Sequence, residues 1–444
     1  MVLDSHIGES TMPFRRNNLS RDGGTHRAWR PAHSWSADVG PGLITIASDN
    51  DPSGIATYTL AGAWYGFDLL WVCVLSYPST VALQLIAARV AAITGRGLTS
   101  NMRQHYSPLF FYFAVARFLF ANAFNIAVDI LAMSAALQVF FGGSLAWLAV
   151  LSGCASLLLQ WSISYARYAQ AIKWLTLAMF AYVGVVMLVA VPWQTVGIRF
   201  LIPRFAWTED YIAMLIAVLG TTVSPYLLFA QAEQEVQDEG RRGAARPQEA
   251  LNRAMRKMRR DTLLRTALSN VGALFVMIAA AATLHLMQRT HSGDTVIMAR
   301  VLEPLAHGYA RHVLAIALIG STLLALPPLA GSAAQAVAGS FHYGRSDRVR
   351  DKKIGWWLVV VMVIGISTAV ALTLRDVEPV RALYWSALVN GMTVTPVLVL
   401  LVLLSSKREA VGNLKAHWVL RALSWVATIA TAVALLAHLW LEFA

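Results

Sequence analysis

Residues 48–57 read SDNDPSGIAT in the middle of a long apolar stretch. Asp51-Pro52-Ser53-Gly54 cannot continue a helix begun upstream, because proline has no N–H and clashes with the preceding turn. Such a break frees backbone carbonyls and sets the Asp51 carboxylate beside them. Oxygen donors of that kind suit a hard cation. The competing reading is structural, with Asp51 capping the helix that follows. Asp49 lies two residues back and points off another side of any helix. A vestibule position and no role at all both stay open for it.

A second interruption has the same character. Residues 215–236 read LIAVLGTTVSPYLLFAQAEQEV, with Gly220-Thr221-Thr222-Val223-Ser224-Pro225 inside the apolar run. Two further groups share helical faces. Asn122, Asn125 and Asp129 follow i, i+3, i+7 spacing, and Ser224, Gln231 and Glu235 fall on one side by the same arithmetic. For the asparagines, hydrogen bonding between helices is the preferred reading. Asp129 is equally a candidate for an ion path. Gln231 is a candidate for the lining of an exit, while Glu233 and Glu235 read as a solvated helix end. No catalytic set emerges: there is no serine elbow, zinc helix or phosphate loop. An intramembrane aspartyl protease built on Asp51 and Asp129 lacks the glycine-rich motif around its aspartate. The chain is therefore not expected to be an enzyme.

The elements that must hold these residues are membrane helices. Of 444 residues, 57% are hydrophobic and only 14% charged, against about a quarter charged in soluble domains. Apolar runs of roughly 20 residues, long enough to cross a bilayer, recur along the chain. Eleven such segments are expected, at 39–66, 68–93, 109–140, 144–163, 170–192, 209–237, 261–288, 312–341, 354–374, 379–405 and 416–441. A kink is expected in the eighth at Pro327-Pro328. The net charge of +12 needs no nucleic acid, since Lys and Arg gather in cytoplasmic loops. With the N-terminus inside, Arg96, Arg103, Arg167, Lys173, the run Arg253–Arg260, the run Arg345–Lys353 and Lys407–Lys415 all fall inside. The C-terminus then lies outside. Residues 1–38 are polar and basic and read as a disordered cytoplasmic tail. Cys73 and Cys154 both lie in apolar runs and read as packing residues, not as a disulfide or metal pair.

Segments one and six are five apart, enter from opposite sides and are both broken. That is the signature of two inverted five-helix repeats with a substrate site between them. The expected division is a first repeat over 39–208, a second over 209–405 and an eleventh helix within 406–444. The fold class is all-α.

With these residues in place, the chain resembles the Nramp family of metal-ion transporters from about residue 39 to about 405. Gly40-Pro41-Gly42 followed by Asp51-Pro52 matches the first-helix signature. Leu69-Leu70-Trp71 and Thr94-Gly95-Arg96-Gly97-Leu98 resemble the second helix and its loop. The resemblance implies a leucine-transporter-type fold. Three departures stand out. Ser53-Gly54 replaces the usual Gly-Asn. In helix six, Thr221, Ser224 and Tyr226 stand where Ala, Met and His are usual, and Ala132 stands where helix three carries Glu. The pattern is most similar to the Nramp-related branch of bacterial magnesium transporters.

The resemblance implies a bacterial cytoplasmic-membrane carrier of a divalent cation, Mg²⁺ first and Mn²⁺ second. Asp51, Gly54 through a nearby carbonyl, Thr221 and Ser224 are the expected ligands. Asp49, Asn125, Asp129, Tyr226 and Gln231 are expected along the ion path or behind the ligands. No resident cofactor is expected. The partners are the ions and the lipid bilayer, and a monomer is expected. The alternatives are a proton-coupled Mn²⁺ or Fe²⁺ carrier and a non-transporting metal-binding or sensing protein.

Overall fold

The structure, a computed structural model, describes residues 51–162, 180–242, 248–287, 294–341, 347–411 and 416–443. Asp49, the Gly40-Pro41-Gly42 signature, the tail over 1–38 and residues 170–179 of segment five lie outside the described residues.

Where described, the apolar segments are helices. They comprise α1 (Pro52–Tyr65), α2 (Leu70–Thr94), a short α3 (Leu98–His105), α4 (Pro108–Phe141), α5 (Leu145–Ser162), α6 (Ala181–Leu188) and α7 (Trp193–Leu201). There follow α8 (Glu209–Thr222), α9 (Pro225–Arg242), α10 (Gln248–Ala280), α11 (Asp294–Val301) and α12 (Glu303–Ala306). The chain ends with α13 (Ala310–Ser340), α14 (Asp347–Leu374), α15 (Pro379–Leu404), α16 (Arg408–Val411) and α17 (Trp418–Phe443). Among the described residues, nine spans are long and apolar enough to cross a membrane. The α6–α7 pair, which turns through 120°, makes a tenth. Local chemistry sets the ends. Pro52, Pro108 and Pro379 each open a helix, where the missing N–H is no loss. Gly95 closes α2 at φ 63°, a left-handed position that favours glycine.

Two groups of helices surround the breaks. One is α1, α2, α8 with α9, and α10, packed on one another; the other is α4, α5, α13 and α14. The helices α15 and α17 flank the first group, and α15 also packs on α4. Close packing rests on small residues, as in membrane bundles generally. A Cβ on Gly220 of α8 would overlap the Ala387 carbonyl and the Gly391 backbone of α15. A Cβ on Gly391 would in turn overlap the Ile216 carbonyl.

Pro327 and Pro328 lie inside the continuous helix α13. One expectation changes here. Cys154 is exposed on α5, not buried in packing, whereas Cys73 is buried. Arg117 reaches the Met392 carbonyl of α15 at 3.3 Å and lies over the Phe113 ring. Its charge is thus used between helices. The segment α7 was not foreseen, because nine residues fall short of a span. A π-turn over Ala281–His285 also has no local signature. There His285 Nδ1 lies 3.0 Å from the Ala63 carbonyl, and the ring fills the space beside Gly66.

Candidate metal-ion site

Asp51 is 4% exposed and caps α1. Its Oδ1 accepts from the Gly54 amide at 2.7 Å and from the Ser53 hydroxyl at 2.8 Å. The structural reading of Asp51 is therefore present in the molecule. Both of these donors go to one oxygen, however, so the cap leaves Oδ2 outside this pair of bonds. A Cβ on Gly54 would press on that same Oδ1 at 3.3 Å and on the Tyr58 ring at 3.5 Å. Gly54 thus keeps the first break close to Tyr58.

The second break is Val223–Ser224, between α8 and α9. Pro225 has no N–H to return to the Thr221 carbonyl. The Ser224 hydroxyl takes its place, donating to the Thr221 carbonyl at 2.9 Å and the Gly220 carbonyl at 3.2 Å. The two helical halves still form one span, Glu209–Val236. The Thr221 hydroxyl bonds the Val218 carbonyl at 2.9 Å and the Tyr58 hydroxyl at 3.1 Å. Tyr58, one turn into α1 after the first break, thus bonds the end of α8 beside the second. Reading the sequence missed it, because one aromatic in an apolar helix gives no signal.

The remaining candidates separate. Asn122, Asn125 and Asp129 are all at most 2% exposed, which agrees with their shared face. Asn125 and Asn390 exchange hydrogen bonds at 2.8 and 3.1 Å, and Ser386 donates to Asn125 as well. That trio staples α4 to α15. Asp129 differs: neither carboxylate oxygen has a hydrogen-bond partner among the described residues. Tyr226 is 1% exposed and sits in the apolar cluster with Phe118, Phe229 and Leu329. Gln231 lies away from the breaks, donating to Thr262 at 3.0 Å and accepting from Arg265 at 2.7 Å. Glu233 corrects an expectation. It is 6% exposed, and its carboxylate fills the space where a side chain on Gly97 would be. It is packed against the start of α3 and is not a solvated end.

Among the described residues no three His, Cys, Asp or Glu side chains gather into a metal cluster. Any cation held here relies on one or two carboxylates with hydroxyl and carbonyl oxygens. That donor set has no sulfur and no imidazole, and it suits hard cations over soft ones.

The sequence pattern of the family described as "Natural resistance-associated macrophage protein-like" matches residues 42–441. The chain belongs to the Nramp family. This Nramp chain is 26% identical over 406 residues to the divalent metal cation transporter MntH of Deinococcus radiodurans, covering 88% of the chain and 86% of that protein. It is 27% identical over 422 residues to the MntH of Chromohalobacter salexigens, covering 91% and 90%. Among solved structures, the Eremococcus coleocola manganese transporter superposes with TM-score 0.71 at 17% identity, covering 90% of this chain and 85% of that one. Mhp1, a nucleobase-cation-symport-1 family transporter, superposes with TM-score 0.60 at 13% identity, covering 91% and 93%. The fold is thus the all-helical transporter fold that these structures share, with nine to ten apolar spans among the described residues. The protein is a multi-pass membrane protein.

Proposed function

We propose that this Nramp-family protein carries a divalent cation, Mg²⁺ or Mn²⁺, into the cell across the bacterial cytoplasmic membrane. The repeats over 39–208 and 209–405 rock against each other, the N-terminus is cytoplasmic, and the C-terminus lies outside. The observation that supports this reading is the oxygen-only chemistry of the two breaks, with Tyr58, one turn after the first, bonded to Thr221 beside the second. The curated relatives named as divalent metal cation transporters support the cargo class.

Selectivity follows from the donors. A thioether favours transition metals, and hydroxyls do not. Mg²⁺ dehydrates reluctantly and keeps several waters when bound. In the proposed site, the small side chains at 53, 54 and 224 leave room for those waters. Excess Mg²⁺ is expected to suppress Mn²⁺ uptake into proteoliposomes at comparable concentrations, and Cd²⁺ to show no strong advantage. Rapid Cd²⁺ uptake that Mg²⁺ fails to slow would sink the hard-site reading.

Transport is proposed to run without obligatory proton symport. A relay needs groups that load and release protons near neutral pH, and histidine is the side chain suited to that. Here Tyr226 is buried in an apolar cluster, and an unperturbed tyrosine titrates near 10. Ala132 cannot titrate. The membrane potential supplies about 2.3 kcal/mol per charge per 100 mV, so a divalent ion gains about twice that on entry. A pH dye inside proteoliposomes is expected to stay flat during Mg²⁺ or Mn²⁺ uptake. Acidification that scales with metal dose would overturn this. One observation favours that second reading, proton-coupled Mn²⁺ or Fe²⁺ carriage: the Asp129 carboxylate is buried and has no hydrogen-bond partner among the described residues.

A further inference from the structure

The loop between α2 and α4 holds the eight-residue helix α3, which begins on Gly97. The first amides of a helix have no partner within it, and glycine offers no side chain to cap them. A carboxylate from another helix lies beside this start. Glu233 of α9 stands so close to Gly97 that a Cβ at 97 would overlap its Oε1 and lie 2.5 Å from its Cδ. Glu233 is 6% exposed. Burying a carboxylate is costly without compensation, and negative charge is favoured beside a helix N-terminus. The seat of Glu233 and the lack of a side chain at 97 are thus one arrangement.

Elsewhere α3 is fastened to other helices. The Arg103 guanidinium donates to the Ser340 carbonyl at the end of α13 at 2.8 Å. Gly339 of α13 lets Thr99 and Ser100 approach, since a Cβ there would meet the Thr99 Cβ at 3.0 Å and the Ser100 Oγ at 3.2 Å. Just past α3, the Tyr106 hydroxyl donates to the Leu400 carbonyl of α15 at 2.7 Å. Lys407 Nζ donates to the His105 carbonyl at 2.6 Å. So α3 is tied to α13, in the second helix group, whereas Glu233 belongs to the first. The helix α9 also packs on α13, within the apolar cluster that holds Phe229 and Leu329. Apolar contact is non-directional and tolerates sliding. A carboxylate seated at one backbone position does not.

We propose that Glu233 and Gly97 form a latch that holds α9 closed against α3 on the cytoplasmic side. The inference rests on the rocking motion proposed above and says where that motion is held. In the proposed orientation, α3 and the ends of α13 and α15 that it meets face the cytoplasm. Ser224 stands at the start of α9, and Glu233 lies roughly 13 Å further along it at 1.5 Å per residue. The latch thus fixes the far arm of a lever whose near end carries a proposed ligand. The two groups part here only when the carboxylate leaves Gly97 and is taken up by water. Glu233 is a positioning residue, acting through where it holds α9.

The test is the rate at which a membrane-impermeant maleimide, applied to inside-out vesicles free of divalent metal, labels Thr222→Cys beside the second break. Cys154→Ser removes the exposed thiol from this full-length parent, and Cys73 is buried. Glu233→Gln keeps the shape and loses the charge; it is expected to label at least about tenfold faster than the parent. Gly97→Ala, with Glu233 intact, is expected to do the same by displacing the carboxylate. Glu233→Ala vacates the space, so adding Gly97→Ala to it should change labelling by less than about twofold. If the two effects add instead, the carboxylate and position 97 do not share that space and the proposal is wrong. Parental labelling in both Glu233→Gln and Gly97→Ala would leave Glu233 as a cap on α3 alone, which equally overturns it. Should Glu233→Gln fail to fold, Gly97→Ala and its masking by Glu233→Ala carry the test. A parent that transports neither Mg²⁺ nor Mn²⁺ would remove the proposed cargo but leave the labelling comparison readable.

Discussion

Replacing Asp51 with asparagine is expected to abolish divalent-ion uptake while the protein still folds and inserts. The two substitutions available at this position separate its two roles. Asparagine caps helices about as well as aspartate, and its carbonyl can still accept from the Gly54 amide and the Ser53 hydroxyl that now bond Oδ1. Only the charge is lost. Asp51→Ala loses the cap as well, at a further cost of about 1 kcal/mol in stability. Hydrogen bonds and contacts to a charged group are worth about 1.5–3 kcal/mol, which is roughly a 10- to 150-fold loss of affinity. The loss falls on the carboxylate proposed as the sole anionic ligand. Mg²⁺ and Mn²⁺ uptake and calorimetric binding, measured beside thermal unfolding, check both halves. Parental uptake by Asp51→Asn would leave Asp51 as a cap and nothing more. The same measurement on Asp129→Asn shows whether the neighbouring unpartnered carboxylate belongs to the ion path.

Much of this architecture is legible in the sequence because its signals are local. Asp51-Pro52-Ser53-Gly54 and Val223-Ser224-Pro225 stand out against apolar neighbours; the first opens α1 and the second divides α8 from α9, for reasons contained in a few residues. The shared face of Asn122, Asn125 and Asp129 is equally local, being a matter of spacing. Partnerships were not legible. Arg265 and Gln84 are 181 positions apart, and nothing in the expected segment 261–288 singles out the partner of an arginine within it. Glu233 reads as a helix end in water until Gly97, far away in the chain, is seen to leave room for it. Asn125 announced that some hydrogen bond crosses between helices. That Asn390 accepts it and Ser386 donates to the same side chain depends on how α4 and α15 meet. Periodicity and propensity carry no information of that kind.

The second large effect is expected far from any ligand. Gly220→Ala should destabilise the protein and lower its transport, although it adds one methyl group. Where α8 crosses α15, a Cβ at 220 would overlap the Ala387 carbonyl and the Gly391 amide, and would lie 2.8 Å from the Gly391 Cα. All three are backbone atoms, so no side chain can swing aside. The helices must separate, and Asn390, next to Gly391, must move with them. That shift strains the Asn125–Asn390 hydrogen bonds between α4 and α15. It also displaces α8 one residue from Thr221, whose hydroxyl reaches Tyr58. Overpacking of this sort costs about 1–3 kcal/mol, and backbone contact puts the expected loss at the upper end. Gly197→Ala on α7 is the control, since a Cβ there meets nothing within 4 Å. The measurement is the unfolding midpoint of detergent-solubilised protein together with initial uptake rate. Gly220→Ala should fall by several degrees and Gly197→Ala should not move. Equal midpoints for the two variants would mean that α8 and α15 do not meet backbone to backbone at Gly220.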